Sequence, residues 1–112
     1  MVIEQQSIGA VTVLSPKGPI AGDEDAAQFR ASVDGLASRA RGRVVLDASE
    51  VAYVDSEGLE GLLDLAESLE HIGQSLRLGA PGETLEETLR LTELTVHFES
   101  FESVQDAVRS FR

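Results

Sequence analysis

The alternation of apolar and polar positions divides the chain into nine predicted elements. Residues 2–6 (VIEQQ) predict a first strand and Gly9 a turn. Residues 10–16 (AVTVLSP) alternate, with Val11 and Val13 to one side and Thr12 and Leu14 to the other, so the two runs form an antiparallel hairpin. Pro16, Gly18 and Pro19 then break the strand. Over 24–39 the spacing becomes helical: Phe29, Val33 and Leu36 recur at four and three, with Ala26 one turn earlier. Asp23 stands where an N-cap is expected, Arg39 and Arg41 suit the negative end of the helix dipole, and Gly42 ends the helix. Residues 43–48 (RVVLDA) are nearly continuously apolar, as in a strand buried on both faces.

Further on, Leu59, Leu62, Leu63, Ala66 and Leu69 line one face of a helix that Gly73 closes, while Glu57, Glu60, Asp64 and Glu67 line another. Residues 75–79 (SLRLG) predict a strand, and Pro81 and Gly82 lead into a helix carrying Leu85, Leu89 and Leu91. Residues 95–98 (TVHF) read as a short edge strand, and 103–111 (SVQDAVRSF) as a last helix with Val104, Ala107, Val108 and Phe111. The order ββαβαβαβα predicts an α/β fold, a sheet with helices packed on it, in a single domain over residues 1–112. All its connections are short.

Composition narrows the chemistry. Aromatics are only 4% of 112 residues, so the core is aliphatic. The absence of cysteine excludes a disulfide scaffold, a thiolate zinc site and a cysteine nucleophile. The start, MVIEQQSIG, has neither a basic segment nor a long apolar run, and no stretch approaches the roughly 20 apolar residues of a membrane span. The expectation is a cytoplasmic protein without membrane insertion. Twenty acids against nine bases give a net charge of −11, which opposes binding to nucleic acid or anionic lipid and points to a protein partner with a basic contact surface. The acids are concentrated: between Arg43 and Arg77 there is no base, but Glu50, Asp55, Glu57, Glu60, Asp64, Glu67 and Glu70.

Neither a metal nor a cofactor is expected. His71 and His97 are too distant in sequence for a local ligand pair, and no phosphate-binding glycine motif is present. Ser56 has no evident general base, so the chain is expected not to be an enzyme; a small hydrolase or sugar-binding enzyme on the acidic face is the enzymatic alternative. What stands out is the junction Asp55-Ser56-Glu57-Gly58, where a buried strand gives way to a helix. Ser56 there is either an N-cap, satisfying an orphan amide, or a displayed hydroxyl. Gly58 immediately behind leaves backbone amides open to an anion.

The stretch LDASEVAYVDSEGLEGLL, residues 46–63, resembles the central signature of the STAS domain family, and within it the anti-sigma factor antagonists of bacteria. That signature is a strand ending in aspartate, a short loop, then Asp-Ser-Ser/Thr-Gly-Leu opening a helix. The hairpin, the break at Gly18, Gly73 before SLRLG and the closing VHFESFESVQDAV also fall where the family has them, so the resemblance spans the chain. It implies a single STAS-like domain, a small mixed β-sheet with helices packed on it.

It also implies regulated binding of an anti-sigma factor, itself a serine kinase. Phosphorylation of the serine after the motif aspartate, here Ser56, releases that partner, and a phosphatase resets the switch. Asp47, Asp55, Glu57 and Gly58 would frame the site, and Glu60, Asp64, Glu67 and Asp23 would belong to the partner surface. An unphosphorylated scaffold, or a regulatory subunit of a transporter or signalling complex, is the alternative role in the family. Three positions depart from the pattern: Glu57 replaces a serine or threonine, Glu60 a small residue, and Gly18-Pro19-Ile20-Ala21 stands where Gly-Glu-hydrophobe-Asp is usual.

Overall fold

The hairpin sets one edge of the sheet. In the computed structural model, which describes residues 1–112, β1 (Val2–Ile8) and β2 (Val11–Lys17) pair antiparallel, Ile8 opposite Val11 and Val2 opposite Lys17. Beyond β2 the pairing is parallel, through β3 (Val44–Asp47), β4 (Leu76–Gly79) and β5 (Phe98–Phe101), in the spatial order β1-β2-β3-β4-β5. The result is a mixed five-stranded sheet. Every parallel crossover steps the same way across it, and such crossovers are right-handed, so their helices land on one face. These are α1 (Gly22–Val33), α2 (Leu36–Arg39), α3 (Ser56–Glu70) and α4 (Glu83–Leu91). The closing helix α5 (Val104–Arg109) follows the last strand and covers part of the other face.

β3 shows how the two faces share the sequence. Val44 and Leu46 enter the large cluster with Phe29, Leu62 and Leu85; Val45 points the other way, to Val11, Val13, Ala107 and Val108. None of the three is exposed, as the continuous apolar run predicts. On the α5 side the Arg77 guanidinium lies 3.7 Å from the centre of the Phe111 ring, a cation–π contact that helps hold the chain end.

Four expectations need correction. The helix anticipated over 24–39 is two helices, because Gly35 takes a left-handed backbone (φ 70°) and redirects the chain so that Leu36 and Ala37 reach the core. Asp23 does not cap α1: the N-cap is Ala21, and Asp23 lies in the first turn beside Glu24 and Asp25, where acids favour the dipole. Thr95–His97 is a 3-10 turn rather than strand, and β5 begins at Phe98, the buried anchor of that segment. Leu65, which the apolar stripe of α3 did not include, is buried, whereas Leu63 is half-buried.

Candidate functional site

The serine junction is built by an exchange of backbone groups between two loops. After β3 the chain runs through Ala48, Val51 and Val54, all buried, which fix the loop from beneath. Val54 forms a parallel bridge with Ile20, just ahead of α1. The Ile20 amide donates to the Tyr53 carbonyl at 3.3 Å, and the Asp55 amide donates to the Ile20 carbonyl at 3.3 Å. The start of α3 is thereby tied to the start of α1.

Asp55 completes the tie. It is the N-cap of α3, and its Oδ1 accepts from the Gly58 amide at 2.9 Å. Its Oδ2 accepts from the Gly22 amide, the first residue of α1, at 2.7 Å. One carboxylate therefore satisfies orphan amides of two helices. The amides of Gly58 and then Gly22 hold the Asp55 carboxyl below its ordinary value. A depressed carboxyl contributes stability that is complete above the ordinary aspartate value and is lost as pH falls through the lowered one.

The capping alternative for Ser56 is thus filled by its neighbour. Ser56 is the first helical residue, exposed, and its hydroxyl takes no part in the hydrogen bonds that hold the junction. The motif glycine has a steric role. A Cβ on Gly58 would sit 2.1 Å from the Ile20 carbonyl oxygen, so the two loops can exchange hydrogen bonds only because no side chain intervenes. Asp55→Ala is accordingly expected to lower Tm by about 5 °C, and Ser56→Ala by under about 3 °C. Thermal unfolding at neutral pH checks both. The gap between wild type and Asp55→Ala is expected to close as the solution is acidified.

The other predicted site residues are dispersed. Asp23 flanks Gly22, so it shares the corner with Asp55, Ser56 and the half-buried Glu57. Glu60 and Asp64 turn toward α1, where Arg30 reaches them at 3.6 Å and 3.2 Å. Glu67 is exposed, with no ion pair. Asp47 points to the α5 face of the sheet: its Oδ1 accepts from the Ser49 amide (3.0 Å) and hydroxyl (2.7 Å), and Ser15 donates to its Oδ2 at 3.4 Å. It shapes the beginning of the loop and does not reach Ser56. Sequence reasoning missed Tyr53, the only tyrosine, which is 48% exposed two residues before Asp55. An aromatic in a loop flanking the motif was the available signal. His71 and His97 stay apart, His97 pairing with Glu70 at 3.1 Å. No helix is long and apolar enough to cross a membrane.

Several solved structures share this architecture. A Thermotoga maritima protein assigned as an anti-sigma factor antagonist superposes with a TM-score of 0.85 at 23% identity, over 96% of this chain and 92% of that one. The Bacillus cell fate determinant SpoIIAA in its phosphorylated form gives 0.72 at 16% identity, over 99% and 100%. The murine anion transporter Slc26a9 gives 0.74 at 23% identity, over 94% of this chain but only 18% of the transporter. At these identities the likeness is one of fold. No curated protein matches the chain significantly. The family model described as the STAS domain matches residues 2–107. With nearly its whole length covered, and with the Asp55-Ser56-Glu57-Gly58 junction built as described, the chain belongs to the STAS domain family.

Proposed function

We propose that this protein is a regulatory protein-binding module of the anti-sigma factor antagonist type, in which phosphorylation of Ser56 switches partner binding. The observation that carries this reading is the free, exposed Ser56 hydroxyl on a backbone held rigid by Asp55. The partner is a serine kinase of the anti-sigma type, or a related regulatory protein with a basic contact surface, and a phosphatase reverses the modification. Asp55, Glu57 and Gly58 frame the phosphoacceptor, with Asp47 supporting the loop. Asp23, Glu60, Asp64 and Glu67 provide the acidic surroundings, and Tyr53 is an aromatic contact. The working compartment is the cytoplasm.

Phosphorylation adds about −1.5 to −2 charges and the bulk of three oxygens. Between Asp55 and Glu57 it makes a cluster of negative groups that is costly to desolvate beneath a partner. Long-range attraction to a basic partner survives, so the switch acts on dissociation more than on encounter. The added charge and bulk act at the contact itself, so the switch requires no refolding.

The test is to incubate the protein with the candidate kinase and ATP and to measure its mass. One phosphate on wild type and none on Ser56→Ala is expected. Ser56→Asp is expected to raise the dissociation rate at least about tenfold with little change in association, measured by surface plasmon resonance. Glu57 favours a second reading, since it sets a permanent charge beside the hydroxyl: an unphosphorylated scaffold, or a regulatory subunit of a transporter or signalling complex. An unmodified Ser56, with partner affinity indifferent to Ser56→Asp, supports that reading instead.

A further inference from the structure

The edge of the sheet formed by β1 carries a feature independent of Ser56. β1 is seven residues long and every one of them except Ile3 is exposed. Its backbone orientation follows from its neighbour. The Thr12 amide donates to the Arg43 carbonyl at 2.9 Å, so Thr12 spends its backbone groups on β3, as do Leu14 and Pro16 in the same alternation. Pro16 has no N–H to offer β1 in any case. The residues opposite these three, Ser7, Gln5 and Ile3, therefore direct their N–H and C=O groups away from the sheet.

Natural edges are blunted by lysine, proline, a bulge or a covering segment. β1 has an unbroken register with β2 and only one charged residue, Glu4. Its two exposed apolar side chains, Val2 (62% exposed) and Ile8 (39% exposed), lie at opposite ends and on the same face.

We propose that β1 pairs antiparallel with β1 of a second copy of this chain, about a two-fold axis at Gln5, joining two five-stranded sheets into one. The sequence VIEQQSI selects this register. Centred on Gln5, Ile3 meets Ser7 of the other copy, and all the outward backbone groups of Ile3, Gln5 and Ser7 are satisfied. The same register sets Val2 against Ile8 at both ends, and Glu4 against Gln6. Centring on Glu4 would oppose two carboxylates directly, and centring on Gln6 would leave Val2 unpaired and set Glu4 against Ile8. The pairing is isologous and closes at two copies, because each copy offers one such edge. A single strand pair gives a small interface, so the association is expected to be weak and concentration-dependent. Two copies of net charge −11 repel one another, so added salt is expected to strengthen the association.

Sedimentation equilibrium from about 10 to 500 µM, at low and at 0.5 M salt, tests this directly. The expected result is a monomer–dimer equilibrium that salt tightens and that Gln5→Pro weakens at least about tenfold. The Gln5 N–H serves the outer edge only, so proline there spares the hairpin. Because the chain has no cysteine, Gln5→Cys introduces the sole thiol. It is expected to give a covalent dimer on mild oxidation, where Glu4→Cys and Gln6→Cys do not, and this readout stands if the proline variant fails to fold. A monomer across the whole range at high salt overturns the proposal. So does a dimer indifferent to Gln5→Pro in its folded form, or one cross-linked best through position 4 or 6. None of these outcomes depends on Ser56 being phosphorylated.

Discussion

Phe29→Ala is expected to cost about 3–5 kcal/mol, the largest loss of any single truncation in this core. Phe29 is fully buried and is the largest of the enclosed side chains. It extends from α1 onto α3, where Gly61 leaves room for the ring: a Cβ at position 61 would stand 3.1 Å from Phe29 Cδ1. Its neighbours in the cluster are mostly aliphatic side chains, themselves buried and already packed, so the cavity is filled only in part by relaxation. A domain of this size has about 5–15 kcal/mol of stability in all, so much of the margin would go. Urea unfolding should show the midpoint falling with the slope unchanged. A loss below about 1.5 kcal/mol would mean that α1 settles onto α3 and that this packing is softer than described.

Gly58→Ala should be nearly as damaging although it adds only a methyl group. The obstacle at 2.1 Å is the Ile20 carbonyl oxygen, part of the backbone, which cannot rotate aside as a side chain does. That carbonyl accepts from the Asp55 amide, so any shift also disturbs the start of α3. Overpacking costs about 1–3 kcal/mol, with more where backbone must move. Alanine's better helix propensity returns less than about 1 kcal/mol. The net expectation is a loss of about 2–3 kcal/mol and a Tm lower by about 10 °C. Calorimetry measures it, and an unchanged Tm would refute the close approach. The variant should also bind the partner less well, because the Ser56 backbone is displaced with Gly58.

These two positions mark where sequence reasoning reached and where it stopped. The hairpin alternation, the doubly buried β3 and the closure of α3 at Gly73 depend on local pattern, and the structure has them. The break at Gly35 was obscured because Phe29, Val33 and Leu36 keep helical spacing across it. The capping of α1 was invisible for a different reason. Its amide is served by Asp55, more than thirty positions away, and no local rule pairs those residues. At the motif, resemblance singled out Asp55, Ser56 and Gly58, but the division of labour among them is tertiary. The aspartate ties, the glycine gives room, and the serine is left free. The acidic stripe of α3 was legible as charge, yet its pairing with Arg30 needed the α1–α3 packing to be known.

The carboxylate of Asp55 spans two helices that are remote in sequence, and this sets how the site fluctuates. The two amides sit on different oxygens of one carboxylate, so both lose their acceptor when that side chain swings away. The first turns of α1 and α3 are therefore expected to open as one unit, which hydrogen exchange of the Gly22 and Gly58 amides would read as a shared opening free energy. Ser56 rides on that unit. Its mobility is governed by the integrity of α1 as much as by its own loop, so a ligand that clamps α1 would slow the motions of a hydroxyl it never touches.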